Sequence, residues 1–215
     1  MKHTTPGYSG GETLGGAEVA LPDVSILNFW QWAYSDLMDN VNRGVFAEWM
    51  VAKLLGLSFT GPRPPWQAWD ITAPGGVRIE VKASAYVHSW TPPEASAAPV
   101  TKPARIEFTN LRTKAFVDAA QTKYAEDPTY NADLYVFCMQ TNPDPTTWDA
   151  LDLTQWEFYL LPNAALVAHG FKSTSLNTVR TMSGGALTAT EFQDEAQAMI
   201  ADLAAAPEAM SRKGT

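Results

Sequence analysis

The stretch Trp66 to Ser84, WQAWDITAPGGVRIEVKAS, constrains this chain more than any other. Ala73-Pro74-Gly75-Gly76 supplies the residues of a tight turn, and the residues after it alternate strictly. Val77, Ile79, Val81 and Ala83 fall on one face of a strand, while Arg78, Glu80 and Lys82 fall on the other. If the turn sets Ala73 opposite Val77, Asp70 stands directly opposite Glu80, with the two Cβ atoms about 4.5–5.5 Å apart. A turn one residue different makes the pair diagonal and still close. Two carboxylates at that separation repel unless a proton or a cation lies between them. Lys82 shares their face. Two acids able to hold a divalent ion, with an ammonium beside them, are the parts of metal-assisted phosphodiester hydrolysis. The same pattern also describes an ordinary half-exposed antiparallel strand.

The rest of the chain supplies the context. A length of 215 residues and an apolar fraction of 46% fit one domain with a substantial core. Residues 1–22, rich in Gly, Thr and Ser, are expected to be loose. Residues 23–206 are expected to form the domain, and 207–215 a flexible tail. The single cysteine, Cys138, excludes an internal disulfide and a cysteine-based zinc site. The N-terminal stretch lacks the apolar core of a signal peptide, and no apolar run is long enough to span a membrane. A cytoplasmic protein without membrane association is therefore expected.

The net charge of −8 argues against coating nucleic acid through bulk charge. From Arg63 to Lys123, however, eight basic residues face five acidic ones, so the middle of the chain is locally +3. Arg105, Arg112 and Lys114 are the candidate phosphate contacts there. His88, Trp90 and Lys102 lie in a Pro/Ala/Ser-rich loop from Ala85 to Ala104 that has the length to reach a phosphate backbone.

The pattern predicts helices over residues 25–38, 42–55, about 110–125, and from Thr188 onward, where Thr188 and Glu191 make a capping box. Asn42 is the expected cap of the second helix, and Gly56 its end. Arg105–Phe108 reads as a short strand, Leu134–Met139 and Trp156–Leu161 as buried strands. Phe171–Arg180 has room for one more short strand. The second helix is apolar nearly all round and is expected to be buried, with Glu48 its odd member. None of the residues three or four away from Glu48 is basic. It must find a distant Arg, a proton, a metal or water.

A helical Glu, then an Asp, then Glu-x-Lys on the next strand, then helix and strand, resembles the order of the PD-(D/E)xK nuclease superfamily. Glu48, Asp70 and the run IEVK ending at Lys82 carry the resemblance. The helix NRGVFAEWMVAKLLG and the strand DLTQWEFYLLP look like elements of small prokaryotic members, so the likeness covers roughly residues 42–161. It implies an α/β, restriction-endonuclease-like core with a central mixed β-sheet flanked by helices. It also implies a Mg2+-dependent deoxyribonuclease of restriction or repair type, with Mn2+ as a substitute ion. Asp70, Glu80 and the carbonyl of Val81 would hold the ion, and Glu48 a second ion or a metal-bound water. Lys82 would orient or help deprotonate the attacking water. DNA is the implied partner, and restriction-type cutting of both strands implies a homodimer, although no dimer seam is legible. Trp69 stands where the family usually has Pro. The competing reading is a non-catalytic module on the same fold that binds nucleic acid or protein.

Overall fold

The computed structural model describes residues 7–59, 61–63, 67–89, 105–118 and 123–206. Its centre is a four-stranded mixed sheet. Strand β3 (Ile71–Thr72) pairs antiparallel with β4 (Arg78–Ala85), β4 pairs parallel with β8 (Leu134–Gln140), and β8 pairs antiparallel with β9 (Trp156–Pro162). Strand β8 is buried along its whole length, as its unbroken apolar run LYVFCM requires of a strand covered on both faces. Cys138 lies in the middle of it, fully buried, and burial pushes its thiol pKa up.

Helices cover both faces. On one, α2 (Asn40–Leu54) and α5 (Ala189–Ala205) pack Ala47, Val51, Phe192 and Ala196 against Ile79, Val81, Val136 and Phe158. The Phe158 and Phe192 rings stack with centroids 4.8 Å apart. On the other face, α3 (Asn163–His169), α4 (Leu176–Ser183) and residues 106–111 cover Tyr135, Phe137, Tyr159 and Leu161. A short pair, β5 (Glu107–Phe108) with β10 (Thr174–Ser175), ties this second layer together. The chain is thus an α/β protein with a mixed sheet flanked by helices. None of its helices, among the described residues, is long and apolar enough to cross a membrane.

The capping box at Thr188 and Glu191 is formed, and Gly56 ends α2 with φ +71°. Asp39, rather than Asn42, caps α2: its carboxylate accepts from the Val41 and Asn42 amides. Asn42 instead reaches back to the carbonyls of Ala33 and Asp36. Helix α2 buries only one side, since Val41, Val45 and Trp49 are exposed. Helix α1 (Ile26–Tyr34) buries no residue, and its aromatics Phe29, Trp32 and Tyr34 face outward. The expected loose N-terminal segment contains an antiparallel pair, β1 (Thr13–Gly15) with β2 (Ala20–Ser25). The expected tail, 207–215, lies outside the described residues.

The helix expected over 110–125 is not formed among the described residues of that stretch. Asn110 adopts a left-handed φ of +55°, Thr113 bridges to Thr129, and β6 (Phe116–Asp118) pairs with β7 (Lys123–Tyr124). Thr113, Phe116 and Val117 favour strands, and cross-strand partners were there to be met. Among the described residues, the crossover from β4 to its parallel neighbour β8 therefore carries no helix, a departure from the order on which the resemblance rests.

One residue fixes the sheet. Asp133 accepts hydrogen bonds from the Arg78 amide (3.0 Å) and from both sides of its guanidinium (3.1 and 2.8 Å), while its own amide donates to the Arg78 carbonyl. The β4–β8 register starts at the next pair, Ile79 with Leu134. Asp133→Ala is expected to destabilise the fold by about 2–4 kcal/mol, because Arg78, only partly exposed, is left without its acid. Urea unfolding monitored by tryptophan fluorescence measures the loss.

Candidate active site

The turn between β3 and β4 decides the geometry. Pro74–Gly76 forms one 3-10 turn, with Gly75 at φ +78° and Gly76 at φ +83°. At Gly75 a Cβ would lie 2.4 Å from the Cβ of Ala204, so glycine is required both for the backbone and for the seating of α5. The Ala73 amide donates to the Val77 carbonyl, and Ile71 pairs with Ile79. Extended by one residue, that register sets Asp70 opposite Glu80, and the Asp70 amide donates to the Ile79 carbonyl. Asp70 then turns one carboxylate oxygen onto the Val81 amide at 2.8 Å.

Lys82, two residues beyond Glu80 on the same face, donates to its carboxylate at 2.7 Å. Glu48 joins from α2. Its partner is a distant arginine: Arg63 grips both carboxylate oxygens, at 2.5 and 2.6 Å, and reaches Asp70 at 3.7 Å. Of the outcomes open to Glu48 from sequence, a tertiary Arg is the one observed. The four expected site residues thus share one cluster, with Arg63 as a fifth member. Three carboxylates and two cations leave it one negative charge in excess when all are ionised.

That excess is felt most at Asp70. Burial, then the charges of Glu80 and Glu48, push its pKa up to about 7, although the Val81 amide and Lys82 pull the other way. Burial also raises Glu80, against the pull of Lys82. As the side chains stand, no group of three or more His, Cys, Asp or Glu residues among those described is arranged to hold a metal ion. Lys82 and Arg63 hold the acids instead.

Beside the cluster opens a polar cavity of about 530 Å3, lined by Lys82, Ser84 and Arg105 among others. Of the three candidate phosphate contacts, only Arg105 lines it. Arg112 is committed to the Pro128 carbonyl and the ring of Tyr130, and Lys114 is exposed elsewhere along the chain. Gln140 is buried and bonded to Gln155 at the end of the sheet. Trp69 lies against the Arg78 guanidinium. Trp90 and Lys102 fall outside the described residues, whereas His88 borders the cavity. Sequence reasoning missed the part played by Arg63. Arg63 had a signal: it is the only basic residue in the bend between α2 and the hairpin.

No protein-family model matches the chain, and no curated protein does.

The charge excess has a measurable consequence for stability. In the folded chain Asp70 keeps its proton up to about pH 7, whereas in the unfolded chain it loses it near pH 4. Between those values the folded state binds more protons. The contribution of Asp70 therefore favours folding at low pH and is lost as pH rises through 7. With EDTA present, the Tm of Asp70→Asn relative to wild type is expected to climb between pH 4 and pH 8. A difference that stays flat or falls would show Asp70 to be ionised without penalty.

Proposed function

We propose that this chain hydrolyses phosphodiester bonds in DNA with the help of a divalent cation, Mg2+ or, in its place, Mn2+. The observation that carries this reading is the register of the β3–β4 hairpin. It sets two half-buried carboxylates opposite each other with a lysine on the same face, and burial, then the charges of Glu80 and Glu48, raise Asp70 to about 7. The donor set suits a hard dication: carboxylate oxygens and a backbone carbonyl, with no sulfur or clustered imidazole.

Asp70 and Glu80 would hold the ion with the Val81 carbonyl, and Glu48 would join once Arg63 lets go. When bound, the ion supplies charge stabilisation at the scissile phosphate and acidifies water. Lys82 would be free of Glu80 where the ion takes that carboxylate, and would orient or help deprotonate the attacking water. Arg105, which lines the same cavity as Lys82, supplies a contact to the DNA backbone.

Arg63 favours a second reading. Glu48 already has a bidentate partner and Glu80 already has Lys82, so the acids are largely balanced without metal. A module that docks on nucleic acid without cutting fits that balance.

Cleavage assays on supercoiled, linear and single-stranded DNA and on RNA, with Mg2+ or Mn2+, separate the two. The nuclease reading expects wild type to cut, and Lys82→Ala to abolish cutting while leaving DNA affinity nearly intact. Lys82→Arg should not rescue, since a guanidinium does not readily release a proton. The module reading expects no variant to cut and Lys82→Arg to bind as wild type does.

Calorimetry with Mn2+ gives a further check. Arg63→Ala is expected to tighten ion binding, because the guanidinium no longer competes for Glu48 and Asp70. Asp70→Asn is expected to weaken it.

A further inference from the structure

The cavity beside Lys82 has a wall that the site described above does not use. Arg43, in the first turns of α2, is 2% exposed. Its guanidinium donates to the Met38 carbonyl at 2.8 Å, to the Asn40 side chain, and lies 3.4 Å from Nδ1 of His88. All three partners are neutral acceptors, and Nε is buried without a hydrogen bond. Arg43 makes no salt bridge among the described residues. The acid that acts on it through space, Asp39, has its carboxylate turned to the helix-capping amides. Burying a guanidinium without a carboxylate is costly, and proteins ordinarily avoid it.

Arg43 is also part of the lining of the 530 Å3 cavity, with Lys82, His88 and Arg105, and Glu107 is the one acid among its described lining residues. The Glu107 carboxylate is held by the Ser173 hydroxyl at 2.6 Å. Lys82 is balanced by Glu80 and Glu107 offsets one arginine, so the charged groups of the lining keep one positive charge in excess. The volume is that of a pocket for a molecule of nucleotide size.

We propose that this cavity is a phosphate subsite, which takes the phosphate next to the one cleaved along a nucleic-acid strand. Arg43 provides the fixed charge at its wall, and Arg105 the contact at its rim. The assignment to a neighbouring phosphate rests on the nuclease reading, because Lys82 is the residue shared by the two sites. The affinity for phosphate itself does not.

The probes are the thymidine dinucleotide with a 5′-phosphate, the same dinucleotide without it, and inorganic phosphate, each titrated by calorimetry in EDTA. The phosphorylated dinucleotide is expected to bind wild type more tightly than either of the others. Arg43→Met is expected to weaken it about tenfold or more, and Arg105→Gln about three- to tenfold, as the loss of charge-assisted hydrogen bonds or of a nearby charge implies. Lys53→Gln, near the far end of α2, is expected to bind as wild type. Arg105→Gln changes an exposed residue, so it decides the matter if Arg43→Met does not fold.

Inorganic phosphate binding as tightly as the phosphorylated dinucleotide would overturn the strand assignment in favour of a site for the free ion. Wild-type affinity in both arginine variants, or equal weakening by Lys53→Gln, would overturn the subsite. So would the absence of binding to wild type at about 10 mM of every probe, beyond the millimolar range expected of weak sites. Cleavage is scored separately. Cutting by a protein whose phosphate affinity ignores Arg43 and Arg105 sinks the subsite alone. Arginine-dependent binding by a protein that never cuts supports the subsite and sinks the nuclease.

Discussion

Everything at the candidate site depends on a clamp some distance from it. Asp133 joins the beginning of β8 to the beginning of β4 through backbone and guanidinium together. A register slip of one residue there would turn every side chain of a strand to the opposite face. Glu80 and Lys82 would then point at α2 and α5, and Ile79 and Val81 into the polar layer. The Asp133 carbonyl also accepts from the Asn163 amide, so the start of α3 is tied to the same point. One buried acid thus orders three elements before any residue of the site is considered.

The acids of the site are held by a different economy. Burial raises the free energy of each carboxylate, and their mutual repulsion raises it further. The fold answers with two cations, Lys82 and Arg63, and with the Val81 amide on Asp70. Arg63 has a side chain about half exposed, while Glu48 and Asp70 are mostly covered. The positive charge is the part of the cluster most easily withdrawn.

The hairpin was readable from sequence because two local rules agreed there. Strict alternation gave the faces, and Pro-Gly-Gly gave the turn, so the Asp70–Glu80 pairing followed from counting. The strands LYVFCM and WEFYLL were readable for the same reason, since their composition and length leave few alternatives. The stretch after Thr109 was not. Its residues tolerate helix locally, and what decided it was the pairing of Thr113 with Thr129 and of Phe116 with Tyr124, for which no turn signal like Pro-Gly-Gly stands between the partners. Helix α1 differs: its large apolar residues include Phe29, Trp32 and Tyr34, which are exposed, and none of its residues is buried. Arg63 and Arg43 illustrate the remaining limit. Long side chains choose partners by distance in space, and 15 residues separate Arg63 from Glu48 while 45 separate Arg43 from His88.

The burial of Cys138 has a use beyond packing. As the only thiol in the chain, it sits at the centre of β8 under a layer on each side, with its ionisation suppressed. A reagent that attacks thiolate finds no target until the sheet itself opens. Labelling kinetics at this one atom therefore read the opening of the central sheet, separate from fraying at the termini or motion of surface loops. The protein carries, without engineering, a single-site clock for its own cooperative unfolding.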